Sequence, residues 1–376
     1  MKTLTLRTIF FLKHETVLCI SGIAAIVTML FVLPSASYLS YIDFPVLALL
    51  LSLMLVMAGL QKIGLFMKLS EGLLSLVVGL RSLSYVLTML CFFSSMWITN
   101  DVALITFVPF TIILLNLTGK QRFMIRLIVL ETIAANLGSM LTPVGNPQNL
   151  YLYSYYHLSM NEFIKITAPY LLISFFLLSI AALTIKKESL QIKLSQETQD
   201  LKSNQHLLFM YGLQFIICLL CVLRLVDFRA MLIIVLASTL IFDRGIFKEV
   251  DYSLLLTFIC FFIFVGNIGH IPAVKAFLTQ IMENREYLVT IITSQIISNV
   301  PAAVLLSRFT SKYELLILGA NIGGLGTLIA SLASLISYKF YCKTENAKPF
   351  RYLAEFTAFN LLFLGVLCGM YVLLTK

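Results

Sequence analysis

The residues best suited to chemistry are an amide and a carboxylate enclosed by apolar sequence. They are Asn100 and Asp101, within the stretch MWITNDVALITFVPF from Met96 to Phe110. An ionisable side chain inside a membrane is costly and is therefore a functional candidate by default. Three roles are open for Asp101: a cation ligand, a proton-exchanging group, or a cap on the amino-terminal amides of a half-helix.

The composition explains why a membrane is the expected setting. Of 376 residues, 60% are hydrophobic and only 12% are charged, unlike an ordinary soluble domain. Apolar runs long enough to cross a bilayer as helices recur from end to end. The sequence predicts an all-α integral membrane protein with about 9–11 transmembrane helices. No metal-ligand cluster or pairing of nucleophile and base is visible in the sequence, so we expect no enzyme and no cofactor.

The net charge of +9 has an explanation in the loops. Lys and Arg cluster in short segments that the positive-inside rule places in the cytoplasm. A nucleic-acid partner is therefore unnecessary, and we expect a cytoplasmic N-terminus in a bacterial plasma membrane. The clusters contain Lys2, Arg7 and Lys13; Lys120, Arg122 and Arg126; Lys186, Lys187, Lys193 and Lys202; Arg244 and Lys248; and Lys339, Lys343, Lys348 and Arg351.

Two segments of the first half do not fit simple crossings. Residues 83–118 are too long for one crossing, carry a polar centre and lead back to Lys120, so they predict a re-entrant hairpin. Residues 127–156 contain two glycines and two prolines within ten positions, from Gly138 to Pro147. Proline and glycine interrupt helices, and this density predicts a broken helix with free backbone amides and carbonyls.

The second half of the chain repeats the first. FFSSMWITNDVALITFVPF aligns without gaps on IITSQIISNVPAAVLLSRF, and AANLGSMLTPVGNPQN aligns on GANIGGLGTLIASLAS. IDFPVLALLL has a counterpart in VDYSLLLTFI. We expect an inverted-topology repeat, the pattern of many secondary transporters. The predicted divisions are a first transmembrane helix (1–40), repeat 1 (41–185), a cytoplasmic linker (186–205) and repeat 2 (206–376) with hairpin 286–308 and broken helix 314–338.

The hairpin tips and the helix breaks together form the predicted substrate and ion site. Their polar side chains and freed backbone groups can replace the hydration shell of a solute. For the glycines, close helix packing through small residues is the open alternative. A sodium ion is a candidate ligand of Asn100, Asp101 and Asn146. The predicted site comprises Thr99, Asn100, Asp101, Asn136, Gly138, Thr142, Gly145, Asn146, Ser298, Asn299, Asn321, Gly323, Gly324 and Thr327.

The combination of ITND, ISNV, ANLGSMLTPVGNPQN and ANIGGLGT resembles the ion transporter superfamily. The resemblance extends from about residue 40 to the end of the chain, and it is strongest to the citrate-transporter-like permeases, the divalent anion/sodium symporters and the arsenite permeases. It implies a scaffold domain, a mobile transport domain that moves as an elevator, a homodimer, and a cation site near each hairpin. In the anion symporters both tips read Ser-Asn-Thr, whereas here they read Thr99-Asn100-Asp101 and Ser298-Asn299-Val300.

The aspartate at the first tip affects the expected cargo. It would place a negative charge beside an anionic substrate, which is unfavourable unless a proton or a metal ion intervenes. The Asn-Asp pair looks like the arsenite permeases, whose cargo is neutral or weakly charged. We therefore expect a secondary transporter of a small carboxylate, inorganic oxyanion or metalloid, coupled to sodium or protons. The alternative is a sodium/proton antiporter without anion cargo.

A second acid, Glu131, lies in the core of the first half. It follows Arg126 by five residues, and we expect it to form an ion pair with a basic residue at the membrane interface.

Overall fold

The computed structural model describes residues 16–65, 68, 79–189 and 204–374. The basic N-terminal segment and most of the predicted linker lie outside these ranges. The described residues form helices and no β-strand, which confirms the all-α class. The helices are α1 Thr16–Met29, α2 Phe44–Lys62, α3 Leu80–Ile98, α4 Asn100–Leu117, α5 Met124–Gly138, α6 Pro147–Tyr155, α7 Met160–Leu183, α8 Gln205–Val222, α9 Phe228–Phe242, α10 Tyr252–Gly269, α11 Pro272–Met282, α12 Glu286–Ile297, α13 Asn299–Leu306, α14 Tyr313–Ile322, α15 Leu332–Cys342 and α16 Pro349–Leu374.

Among the described residues, six helices are long and apolar enough to cross a membrane, namely α2, α4, α7, α8, α10 and α16. Shorter apolar helices include α9, α12 and α14. Large apolar side chains cover outer faces of the molecule, and Phe176 and Phe209 are 63% and 75% exposed. Exposed apolar surface on this scale is typical of contact with lipid, so the protein is an integral membrane protein.

Two helix pairs meet end to end across a single residue. Thr99 separates α3 from α4 with φ 68° and ψ 148°, and Ser298 separates α12 from α13 with φ 75° and ψ 154°. Residues other than glycine rarely adopt a positive φ with an extended ψ, at a cost of about 1–3 kcal/mol. Such strain persists only where surrounding contacts impose it, and it is concentrated at functional sites. Both predicted hairpin tips have this backbone conformation.

Two further helix pairs are joined by irregular segments. Between α5 and α6 the chain forms a 3₁₀ turn at Pro143–Gly145, and between α14 and α15 it forms another at Leu328–Ala330. Pro147 occupies the first turn of α6, where a missing N–H is tolerated. In the second segment no proline is present, and Gly326 adopts φ 111°. The interruptions thus rely on proline in one half and on glycine in the other.

Close helix packing fixes both hairpins against the helices that follow them. A Cβ on Gly138 would lie 2.0 Å from the Phe92 carbonyl oxygen, so α3 and α5 touch through their backbones. A Cβ on Gly323 would lie 2.9 Å from Ser294 Oγ, which joins α14 to α12 in a related manner. Each hairpin tip is therefore held beside one helix interruption.

Candidate functional site

Thr99 caps the helix that follows the first hairpin tip. Its hydroxyl oxygen accepts from the Val102 N–H at 3.5 Å, and Asn100 Oδ1 accepts from the Asp101 N–H at 3.0 Å. The carboxylate oxygens of Asp101 accept no hydrogen bond from any residue that the structure describes. The capping role that the sequence left open for Asp101 is thus filled by its neighbours, and its carboxylate remains available.

Asn136 connects the first hairpin tip to the second half of the chain. Its Oδ1 accepts from Asn100 Nδ2 at 3.1 Å and from Ser331 Oγ at 3.0 Å. Its Nδ2 donates to Ser334 Oγ at 3.3 Å. Both Ser331 and Ser334 lie at the start of α15, beyond the second interruption. One amide therefore joins a tip and both broken segments.

Asn321, the sequence counterpart of Asn136, makes the reciprocal contact. Its Nδ2 donates to Asn149 Oδ1 on α6 at 2.7 Å and to the Ile317 carbonyl at 2.8 Å. Its Oδ1 is buried without a hydrogen-bond partner among the described residues. The amide nitrogen of Asn299 lies 2.9 Å from the position of a Cβ on Gly324. The second tip is thus close to its interruption. Among the described residues, the Asn321 amide on α14 keeps one unpaired oxygen, whereas both polar atoms of the Asn136 amide are paired.

The carboxylate of Asp101 faces a cavity of about 170 Å³ between the first tip, α2 and the start of α10. Thr99 and Asn146 also line this cavity, together with the acids Glu249 and Asp251. Asp101 and Asp251 are close enough to repel each other electrostatically. No Lys, Arg or His of the described chain lines the cavity, so its walls carry negative charge without a compensating cation.

Several predicted site residues support the interruptions and do not line the Asp101 cavity. Thr142 donates to the Met96 carbonyl and accepts from the Gly145 N–H at 3.2 Å. Thr327 donates to the Gln295 carbonyl at 3.2 Å, and Ser298 donates to the Ala330 carbonyl at 3.4 Å. The glycine positions are in close contact with neighbouring atoms, which matches the packing alternative. They are Gly138, Gly145, Gly323 and Gly324.

The three predicted sodium ligands do not all face one space. Asp101 and Asn146 line the cavity, whereas both polar atoms of the Asn100 side chain are engaged by Asn136 and by the backbone. A cation beside Asp101 would have the oxygens of Asn146 and Thr99 within the same cavity. Sodium binding at this position stays a prediction.

Sequence reasoning missed residues that complete the site. Gln295 holds the second interruption: its Nε2 donates to the carbonyls of Gly323 and Leu325 at 2.9 Å, and its Oε1 accepts from the Thr327 N–H at 2.9 Å. Its position in the aligned block IITSQIISN, where the first copy has Met96, was an available signal. Asp251 lies in the block VDYSLLLTFI, where Asp43 is its counterpart, so the alignment was an available signal for Asp251 as well.

The expected interfacial ion pair of Glu131 is wrong. The side chain of Glu131 is 0% exposed and accepts a hydrogen bond from Thr111. Arg126 instead pairs with Glu355 on α16, with 2.5 Å between Nε and Oε1. Five residues along an α-helix rotate the side chain by about 140°, so the two residues cannot face the same neighbour.

Comparisons with known proteins identify the family of this chain. A family model described as "Citrate transporter" matches residues 8–312. The chain belongs to this family. An "Uncharacterized transporter MJ0456" of Methanocaldococcus jannaschii is 38% identical over 254 residues, or 67% of this chain and 69% of the relative. "Inner membrane protein YbiR" of Escherichia coli is 32% identical over 309 residues, covering 81% of each chain.

Family membership agrees with the resemblance drawn from the tips and the interruptions, which is thereby confirmed. Family membership and the apolar helices together show that this protein is an integral membrane transporter.

Proposed function

We propose that this protein is a secondary active transporter that moves a small anion or a metalloid and couples the movement to a sodium or proton gradient. The observation that carries the proposal is the carboxylate of Asp101 beside the first tip: it accepts no hydrogen bond from a described residue, and no Lys, Arg or His among the described residues lines the cavity that it faces. A cation or a proton is the species that such a carboxylate attracts.

Helix ends make the same cavity receptive to negative charge. Asp101 lies in the first turn of α4, Pro147 in the first turn of α6, and Asp251 directly before α10, and all three residues line the cavity. The amino-terminal end of a helix carries a partial positive charge that favours a bound anion. The cavity therefore combines three helix N-termini with acidic side chains, a composition suited to a cation and an anion bound together.

The order of binding follows from this electrostatic balance. An anionic cargo alone would be repelled by Asp101, Glu249 and Asp251, and most strongly by Asp101, because Glu249 and Asp251 are exposed and water screens their charges. A bound cation or a protonated Asp101 removes that repulsion, so the cation precedes the cargo. Cargo and cation then cross together and are released, and the empty site returns. The ion gradient drives net transport through this cycle.

A sodium/proton antiporter without anion cargo is the second candidate. The acidic lining of the cavity and its lack of basic residues among the described residues favour this function, because a cation and a proton can alternate at Asp101 with no further ligand. The antiporter does not need the helix N-termini, whereas the cotransporter uses them to hold the cargo.

Reconstituted full-length protein in liposomes separates the two functions. We expect uptake of radiolabelled citrate or arsenite when an inward sodium or proton gradient is imposed, and none after an ionophore collapses it. A sodium gradient that acidifies or alkalises the lumen equally with and without these solutes indicates the antiporter. If no gradient produces either solute uptake or ion movement, the result contradicts both functions.

Further properties follow the family resemblance and are part of the same proposal. They are a homodimer in a bacterial plasma membrane, a cytoplasmic N-terminus, and an elevator motion of the inverted repeat that carries both hairpins. The reciprocal bonds of Asn136 and Asn321 across the two halves support the repeat. Cysteine accessibility from each side, at Ser159 and at Ser195, tests the orientation: only the cysteine at position 159 should react with an impermeant reagent added outside.

A further inference from the structure

Glu131 is a second acid in the interior, separate from the Asp101 cavity. It lies in the middle of α5 and is 0% exposed. Thr111 on α4 donates to its Oε1, and its Oε2 has no hydrogen-bond partner among the described residues. It does not line the Asp101 cavity, and the proposed transport site does not use it.

Within the described part of the chain, no positive charge faces Glu131 from the helices that surround it. From α3 the facing titratable group is the Cys91 thiol, and from α16 it is the Tyr352 hydroxyl. From α4 the facing group is the neutral hydroxyl of Thr111, and no described residue of α7, α14 or α15 forms an ion pair with Glu131. Arg126, on the same helix, is held by Glu355 and stacks on Phe359 at 4.3 Å.

This environment decides the charge state of Glu131. An ionised carboxylate without water or a cation is strongly disfavoured in a membrane protein's interior, and one neutral hydroxyl does not replace a hydration shell. A protonated carboxyl group has no net charge and needs fewer donors. In this conformation Glu131 therefore carries a proton.

A stripe of small polar side chains on α3 faces the same region. Ser84, Thr88, Cys91 and Ser95 recur at helical spacing, and all four are buried. The stripe faces α5, because a Cβ on Gly138 would lie 2.5 Å from Ser95 Oγ. The hydroxyls of Ser84 and Thr88 have no partner among the described residues. Polar atoms thus extend from the beginning of α3 to the level of Glu131.

From this arrangement we infer that Glu131 is a proton-binding site of the transporter, distinct from the Asp101 cavity, whose proton exchanges along the Ser84 and Thr88 hydroxyls during the transport cycle. Only the link to the transport cycle rests on the proposed function. The presence of the proton and its exchange are properties of the protein alone and are measured without a substrate.

Infrared spectroscopy of the full-length protein in lipid tests the site, because the carbonyl stretch of a protonated carboxyl group is separate from the carboxylate and amide bands. We expect such a band at neutral pH, its loss in Glu131→Gln, and its retention in Asp101→Asn. Glutamine has the size of protonated glutamic acid, so the fold should be kept. Glu131→Asp is the second variant, and it should shift the band, since it retains the carboxyl group in a new position.

Deuterium exchange tests the path. Transfer to D₂O should shift the Glu131 band, and the double variant Ser84→Ala/Thr88→Val should slow this shift. The inference is overturned if no protonated carboxyl band exists at neutral pH, if Glu131→Gln and Glu131→Asp both leave the band unchanged, or if the band does not shift in D₂O. Failure of the proposed transport function would instead appear as absent gradient-driven flux with these infrared results intact.

Discussion

The side-chain amide of Asn100 donates to Asn136 at 3.1 Å, which joins a hairpin tip to a helix interruption 36 residues further along the chain. Through the same oxygen, Asn136 also binds Ser331 at the second interruption. Any displacement of the tip must therefore break this bond or move both interruptions with it. The bond therefore couples movement of the first tip to movement of both interruptions.

Removing the Asn136 amide should destabilise the protein. Asn136→Ala leaves Asn100 Nδ2, Ser331 Oγ and Ser334 Oγ unpaired in the interior. Each buried polar group without a partner costs about 1–3 kcal/mol. We expect a clearly lower midpoint of thermal unfolding in detergent. Asn116→Ala is the control, since Asn116 is exposed on α4 and should leave the midpoint unchanged. Equal midpoints for the two variants would show that the Asn136 network adds no stability.

A methyl group at Gly138 should force α3 and α5 apart. The added Cβ would lie 2.0 Å from the Phe92 carbonyl oxygen, a backbone atom that cannot rotate away. Overpacking of this kind costs about 1–3 kcal/mol. Gly365→Ala is the matched control in a helix, because no described atom beyond the neighbouring backbone of its own helix lies within 4 Å of its added Cβ. We expect loss of thermal stability for Gly138→Ala alone, and a stable Gly138→Ala would contradict the close packing.

The two tip asparagines should be essential for transport but not for insertion. Asn100→Ala and Asn299→Ala each remove an amide at a strained tip, while the flanking helices keep their apolar faces. We expect gradient-driven flux to fall to background with normal amounts of folded protein by size-exclusion chromatography. Wild-type flux in both single variants would remove the tips from the proposed site.

Acid should loosen the contact between the first hairpin and the segment after α7. Lys120 donates to the Glu188 carboxylate at 2.7 Å, and this hydrogen bond lowers the pKa of Glu188 from its ordinary value. Because the folded-state pKa is lowered, the stabilisation is present above the ordinary glutamate pKa of about 4.3 and is lost as the pH falls through the folded value.

The Leu80 N–H reports this loss, since it donates to the Glu188 carbonyl at 2.8 Å. Its hydrogen exchange, corrected for the intrinsic pH effect, should accelerate on acidification. In Glu188→Gln the exchange should already be fast at neutral pH. Glu345→Gln serves as a control on another loop. Identical Leu80 protection in Glu188→Gln and in the wild type would exclude an electrostatic contact.

The fold class and the family followed from the sequence because both depend on composition and short motifs. Apolar length alone predicted helices, and the paired asparagine motifs indicated the family. The strained backbone at Thr99 and Ser298 did not follow from local propensity, since neither residue favours a positive φ. There the polar residues in apolar surroundings were the informative signal.

The contents of the site were harder to predict, because they depend on contacts distant in sequence. Asp101 and Asp251 are 150 positions apart and share a cavity only after folding. The prediction for Glu131 is wrong because Arg126, only five residues away along the chain, is not its neighbour in space. The rotation of the helix separates these side chains, and α16 provides the partner for Arg126.

The account depends most directly on the charge of Asp101. Asp101→Asn keeps nearly the same volume and a hydrogen-bonding oxygen, but it cannot hold a negative charge or exchange a proton. Thr99 caps α4 in the described structure, so we expect the variant to fold normally.

The measurement is the initial rate of citrate or arsenite flux into liposomes for wild type and Asp101→Asn, across pH and sodium concentration. Transient currents after a sodium or pH jump give a second readout that needs no substrate. The account predicts that Asp101→Asn loses its dependence on the ion gradient and retains only exchange or no flux. Matching profiles and currents for the two proteins would contradict a coupling role for Asp101.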